Sequence, residues 1–449
     1  MLSVVVLLLF FALFGAMLLG NKEQSFTWVF VSLVLFPPCI YFTQNPQVSP
    51  QQAFLYVFFG VSLLWNRSTL MEGIFKNPLR IPLLMLLCSL MATAVLNGEG
   101  GKGCYNALRY YMENYAYLIV AYVGGLCYKS INLERKWFYP IVALFILGMI
   151  EYALKSNFIF PLICKAFPFY DGYYDLDSVV SASRSYRSRI FITTTHPTVL
   201  GSFLCGAVLM LVCRLKDLPW PKSRTFCAVG GLLLLIVFSG SRTALVCVLI
   251  GLFLYGFLKA GIRIKFLILV VAAFTVAGFA SKMVEKFSVE GEGSSVSMRQ
   301  EQLLFSYLQF MKSPVYGNGV RYTSKYVMER DTYNDRVTDS EIGGLESVIF
   351  FQLIDYGFVG IASYILLFMI AFIYFFRRRR FSHGMAGLLI SISFFIFACL
   401  SGEIGGNNTF AYMLMGYCMG AVKIDEEDEE KSEELKGDES EKEDREALS

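Results

Sequence analysis

Apolar runs about as long as a bilayer is thick recur along this chain, and no other feature limits its fold so sharply. They lie at approximately 2–19, 27–43, 51–65, 80–96, 109–128, 138–154, 193–213, 225–240, 243–258, 264–281, 355–376, 385–402 and 407–422. With no water to hydrogen-bond an exposed backbone, such runs are expected as helices and not as open strands. The expected fold is therefore all-α, a polytopic membrane bundle of roughly 12–14 spans. Composition agrees: of 449 residues, 55% are hydrophobic and 17% charged, where a soluble domain carries about 25% charge. A soluble enzyme and a nucleic-acid binder are both excluded. The first run has no positive residue before it and is followed by Lys22, so it is read as a span and not as a signal peptide.

Lys and Arg mark every second loop. Arg67, Lys76 and Arg80 sit in one, and Lys129, Arg135 and Lys136 in the next but one. Arg214, Lys216, Lys222 and Arg224 follow, then Lys259, Arg263 and Lys265, then Arg377 to Arg380. Those loops are expected on the cytoplasmic side. From Lys423 onward 14 acidic residues face 5 basic ones, so the tail carries −9 and the remainder +12. An acidic tail without aromatic residues cannot bury enough to fold, and disorder is expected there on the cytoplasmic side. The chain divides into N-terminal membrane helices (1–154), an outer loop (155–192), central membrane helices (193–281), a large outer loop (282–354), C-terminal membrane helices (355–422) and the tail (423–449). Within the large loop, Ser297 and Gln300 have capping-box spacing. Leu303, Leu304, Tyr307, Leu308 and Met311 then make one apolar face, which predicts an amphipathic helix over about 298–312, ended by Pro314.

Eleven cysteines, mostly inside apolar runs, do not form a disulfide framework; Cys104 and Cys164, in outer loops, are the one pair placed to bridge. The two histidines, His196 and His383, are far apart without a surrounding Cys/His cluster, so no metal site is expected. Charge near a bilayer is costly and marks function. Once the basic loops are set aside, what remains gathers on the outer side: Arg184, Arg187 and Arg189 before His196-Pro197, Arg242 in Ser239-Gly240-Ser241-Arg242, Arg299, Arg321, Arg330, Glu346 and Glu403. Guanidinium groups suit a phosphate or pyrophosphate, because the planar fork bonds oxyanions in pairs and stays charged when partly desolvated. Each candidate also has a structural reading. Arg184 and Arg187 fit solvated loop charges, and Arg242 fits a cap on the preceding helix. His196-Pro197 fits a helix start. Glu346 fits an ion pair, and the tyrosines at 170, 173 and 174 fit interfacial anchors as well as sugar-stacking platforms. Arg299, in the first turn of its expected helix, opposes the macrodipole, which favours a ligand.

The order of these pieces resembles the O-antigen polymerase and ligase superfamily of bacterial membrane glycosyltransferases. The matching pieces are Arg189 with His196-Pro197-Thr198 and Gly201; the run ending Ser239-Gly240-Ser241-Arg242-Thr243-Ala244; Arg299 leading to Pro314, Gly317 and Gly319; and Glu346-Ser347 with Asp355-Tyr356-Gly357 and Gly360. The resemblance covers roughly residues 189–376. It implies a bacterial inner-membrane enzyme acting at the periplasmic face on oligosaccharides linked to a polyprenyl pyrophosphate, without nucleotide sugars, metal or other cofactor. Membrane lipids are implied as surroundings, and a chain-length regulator is a candidate further partner. By position, pyrophosphate binding falls to Arg189, Arg242 and Arg299. Glu346 becomes the expected base, with His196 second, and Gly317 and Gly319 the residues that let the loop turn beside substrate. Loop 282–354 then becomes a periplasmic catalytic loop. Ligases of the superfamily show a histidine near the end of that loop. This chain has Glu346 there and no histidine in the loop, which favours a polymerase building O-antigen, capsule or exopolysaccharide over a ligase acting on lipid A core. The rival from another class is a flippase or transporter, which would carry charge at mid-span; only Glu113 and Glu151 come near that pattern.

Overall fold

The computed structural model describes residues 2–19, 25–44, 47–65, 67–127, 129, 136–170, 183–184, 187–218, 220–261, 263, 295–325, 345, 347–402 and 407–447. The protein is a helical, polytopic membrane protein, with almost no strand among the described residues. Its helices are α1 (Leu2–Leu19), α2 (Ser25–Leu35), α3 (Pro50–Trp65), α4 (Arg67–Phe75), α5 (Arg80–Leu96), α6 (Gly100–Asn114), α7 (Ala116–Leu126), α8 (Phe138–Leu154) and α9 (Ile159–Cys164). They continue with α10 (Pro197–Cys213), α11 (Lys222–Ser239), α12 (Arg242–Lys259), α13 (Ser295–Phe310), α14 (Val348–Arg377), α15 (Ser382–Leu400) and α16 (Asn407–Ala447). Short antiparallel pairs join β1 (Ile40–Tyr41) to β4 (Phe169–Tyr170), β2 (Thr43–Gln44) to β3 (Gln47–Val48) and β5 (Ser183–Arg184) to β6 (Arg187–Ser188).

Among the described residues, α11, α12, α14 and α15 are long and apolar enough to cross a membrane, and α4 with α5 makes a fifth candidate bent by 78°. Several expected spans are shorter or divided, for visible reasons. The run expected at 27–43 leaves its helix at Phe36, because Pro37 and Pro38 cannot continue the hydrogen-bond ladder. The run expected at 109–128 breaks at Tyr115 into α6 and α7. The run at 264–281 lies outside the described residues. No disulfide joins any of the eleven cysteines, Cys104 and Cys164 included.

The centre of the bundle is a crossing of α7 with α16. Gly420 faces Gly125, and Gly416, four residues earlier, faces Leu118; a Cβ on Gly420 would stand 2.2 Å from the Tyr122 carbonyl, and one on Gly125 2.2 Å from that of Tyr417. Backbones this close are the small-residue packing that joins helices in lipid, where the hydrophobic effect supplies no attraction. Around this pair α10, α15 and α14 add further layers, with Leu209, Tyr364, Leu389 and Tyr412 fully buried.

The acidic tail departs from expectation. It continues α16 as helix, and its first two turns lie against the basic loops. His383 Nδ1 is 2.7 Å from Asp425, Arg378 Nε 2.9 Å from Glu426, and Arg380 Nη2 2.5 Å from Glu429; Lys129 pairs with Asp428 and Lys423 with Glu72. Arg378 and Arg380 after α14 and Lys129 after α7, with His383 beside them, supply the order that the tail's own apolar content does not. The same contacts put the Lys/Arg-rich turns and the tail at one end of the bundle, here the tail end. Arg189, His196, the Ser239–Ala244 turn and residues 313–325 share the opposite end, the loop end.

Candidate functional site

Residues 189–196 are irregular yet tightly held. Glu151, buried near the end of α8, accepts hydrogen bonds from the Phe191 amide at 3.0 Å and the Ile192 amide at 2.8 Å. Asn157 Nδ2 donates to the Ile192 carbonyl at 2.8 Å, and Ile192 is left-handed, with φ 53°. Thr193 Oγ1 donates to Val34 O and Thr194 Oγ1 to Phe191 O, both at 2.6 Å. A carboxylate buried among apolar side chains is tolerated when it satisfies amides in this way. The anchoring sets Arg189 and His196 at the two ends of one fixed segment.

Arg189 lies over the neighbouring turn. Its Nε donates to the Ser239 carbonyl at 2.9 Å, its side chain packs on Gly240, and the Ile190 amide bonds Phe238 O at 3.3 Å. Gly240, with φ 62°, ends α11 in the left-handed cap that glycine favours. Ser241 then starts α12 as its N-cap, its hydroxyl accepting from the Ala244 amide at 3.4 Å. The cation on the carboxyl end of α11 is thus Arg189. Arg242 is exposed at the first position of α12, beside the positive end of a helix dipole, where a cation is locally unfavourable without an anion to hold. His196 caps α10: its Nδ1 accepts from the Thr198 amide at 3.2 Å, and Pro197 takes the first helical position. A Cβ on Gly201 would meet Ser241 and Ala244 side chains at 2.8 Å, so the amino ends of α10 and α12 touch. Arg189, the helix start that carries Arg242 and the amino end of α10 therefore adjoin at the loop end, and cations beside helix amino termini favour an oxyanion.

A second assembly forms where residues 313–325 meet α14. Gly357 (φ 64°, ψ −159°) breaks that helix, and the loop backbone fills the gap. The Phe358 and Val359 amides donate to Pro314 O (2.8 Å) and Val315 O (3.2 Å), while the Asn318 and Gly319 amides donate to Ile354 O (3.1 Å) and Asp355 O (3.3 Å). Asp355 Oδ1 accepts from the Thr323 amide at 2.8 Å and hydroxyl at 2.5 Å. Thr93 Oγ1 and Asn97 Nδ2 reach Tyr316 O and Gly317 O, and Glu99 Oε1 accepts from the Val320 amide. Gly317 has φ 78°, and a Cβ there would stand 2.2 Å from Asp355 O. Its smallness serves this backbone-on-backbone contact. Gly319, at φ 137°, extends the same turn.

Of the residues singled out by sequence, Arg189 packs on the Ser239–Gly240 turn that Arg242 follows, and His196 starts the helix whose Gly201 meets Ser241 and Ala244. Gly317 and Gly319 meet Asp355 and the Gly357 break. Arg299 lies in α13, which packs on α14 and not on the Arg189–Arg242 corner among the described contacts; its side chain is outside the described residues. Since α13 begins at Ser295 and not at the capping-box Ser297, Arg299 stands in the second turn. The dipole argument for it loses most of its force there. Glu346 and Glu403 lie outside the described residues. Leu345 and Ser347 beside Glu346 are described: Ser347 Oγ donates to Ala398 O at 3.3 Å, and the Val348 amide bonds Ser401 O at 3.1 Å. In the sequence Glu151 stands out only as a mid-span acid. The signal for its role is a carboxylate alone in an apolar run, one step before an irregular loop.

Residues 227–365 match the family model described as O-antigen ligase. Over that segment the match supports the resemblance to the O-antigen polymerase/ligase superfamily. No curated protein matches the chain. The O-antigen ligase segment runs from early α11 through the break of α14. It includes the Ser239–Ala244 turn, α13 and the loop that zips into the break, so both assemblies have a part in it. Arg189 and His196 precede it and are joined to it by the contacts with Ser239, Gly240 and Ser241.

Proposed function

We propose that this protein is a membrane glycosyltransferase that joins polyprenyl-pyrophosphate-linked oligosaccharide units into a surface polysaccharide, with its site facing the periplasm of a bacterial inner membrane and its tail in the cytoplasm. The observation that carries the reading is the corner where Arg189, Arg242 and the amino ends of α10 and α12 meet. In the proposed reaction an acceptor sugar hydroxyl attacks the anomeric carbon of the donor. The bond from that carbon to the pyrophosphate oxygen breaks, and the leaving group takes the electron pair. Preorganised cations stabilise charge that develops in this way without further reorganisation. Arg189 and Arg242 supply it here, with Arg299 the proposed third.

The hydroxyl proton passes to Glu346, the proposed base. His196 fits that task less well than sequence suggests. With Nδ1 accepting from Thr198, the neutral ring carries its proton on Nε2 and is a donor on that side. It suits holding an oxygen of the substrate.

A second reading, transfer of the glycan to lipid A core, is favoured by the description of the matched family. Purified protein given lipid-linked oligosaccharide alone separates the two. Under the polymerase reading a ladder of longer lipid-linked chains forms. Product that appears only when lipid A core is added supports the ligase, and no glycan transfer with either acceptor overturns both.

A further inference from the structure

The amphipathic helix α13 packs with the opposite polarity to a helix on a water-facing surface. Its buried side is polar: Gln302, Ser306 and Gln309 are 1–6% exposed. Ser306 Oγ donates to Gln302 O at 2.6 Å, Gln309 Oε1 accepts from Lys312 Nζ at 2.8 Å and Tyr322 OH at 3.3 Å, and Gln309 O accepts from Asn318 Nδ2 at 3.0 Å. Its outer side is apolar. Leu303, Leu304, Tyr307, Leu308 and Met311, with Val315 just beyond, are 54–60% exposed. In water this face would be the wrong way out, since contiguous apolar patches of that kind are rare on soluble surfaces.

The patch does not end with α13. Val315 is hydrogen-bonded to Val359, and Pro314 to Phe358; Phe358 and Val359 are themselves exposed, on a helix that crosses the membrane. The apolar side of α13 thus continues directly into the lipid-facing side of α14. We infer that α13 is seated in the bilayer at the loop end, with its Leu303–Met311 face against phospholipid acyl chains. A helix with a polar side turned to protein and an aliphatic and tyrosine side turned outward fits the boundary between headgroups and chains. The helix that carries Arg299 then lies at the depth where a membrane-anchored diphosphate resides. The inference concerns where α13 sits and holds whether the site polymerises, ligates or does neither.

A photoreactive benzoylphenylalanine placed at Tyr307 or Leu304 of the full-length protein tests it. The protein is reconstituted in vesicles of phosphatidylethanolamine and phosphatidylglycerol, irradiated and weighed by intact mass spectrometry. Both positions are exposed, so the bulky ring fits without repacking the core. The same residue at Phe358 sets the scale for lipid contact, and at Lys312 the background. Phospholipid adducts at 304 and 307, in yields comparable to 358 and well above 312, are expected. Yields at the background level, or cross-links to a second copy or to another segment of this chain, would overturn it.

Discussion

Arg242 is at the place in α12 where a cation gains least from its own backbone, and it remains exposed there while Arg189 occupies the carboxyl end of α11. Such a position is explained by what it meets from outside. Replacing Arg242 with Ala is predicted to lower the rate of glycan transfer by about 10²-fold or more, the usual loss when one preorganised donor is removed, with little change in folding. Lys at 242 should recover only part, because a point charge does not replace a two-pronged donor. Steady-state assays beside a melting curve in detergent check both. Glu151 acts at one remove. Glu151→Ala leaves the Phe191 and Ile192 amides without their acceptor, at about 1–3 kcal/mol for each buried group. It should lower stability and loosen Arg189 together, while Glu151→Gln retains one acceptor and falls between. Equal effects of the two substitutions on melting temperature would count against this role. The arginines were legible because charge in an apolar chain stands out. Glu151 was visible as an anomaly only, since the amides it serves lie 40 residues away and belong to no regular element.

At the scale of elements, glycines mark where backbone meets backbone. Gly317→Ala combines a left-handed φ with a Cβ inside the Asp355 carbonyl, and is predicted to destabilise by more than about 1 kcal/mol, read as a lower melting temperature and faster proteolysis of the 313–325 loop. Wild-type protease resistance would show that the zipper into the α14 break is dispensable. The amphipathic period of α13 was readable from residues 303–311, but its orientation was not. Periodicity separates two faces of a helix without saying which meets protein, and in a membrane protein the apolar face has two possible homes. Reading 27–43 as one run overlooks the helix end that Pro37-Pro38 forces, and at Tyr115 no residue type announces the break.

For the whole molecule, the tail shows how far composition can be trusted. The segment has too little apolar surface to fold alone, yet it extends a membrane helix whose neighbours supply cations. Removing residues 435–449 should leave melting unchanged. Removing 425–449 strips four acidic partners (Asp425, Glu426, Asp428 and Glu429) from basic turns and should cost about 1–3 kcal/mol, since exposed pairs contribute little singly and the buried His383–Asp425 contact contributes more. Glycan transfer per folded molecule should survive both truncations, because the tail and the Arg189–Arg242 corner occupy opposite ends of the bundle. The account as a whole turns on those two arginines gripping one diphosphate together. Its most direct test is a double-mutant cycle on affinity for a polyprenyl-pyrophosphate-linked oligosaccharide, measured with the wild type, Arg189→Ala, Arg242→Ala and the double variant. The expected result is a large loss in each single variant and a coupling of about 0.5–3 kcal/mol between them. Undiminished affinity in both single variants, or losses that simply add, would contradict it.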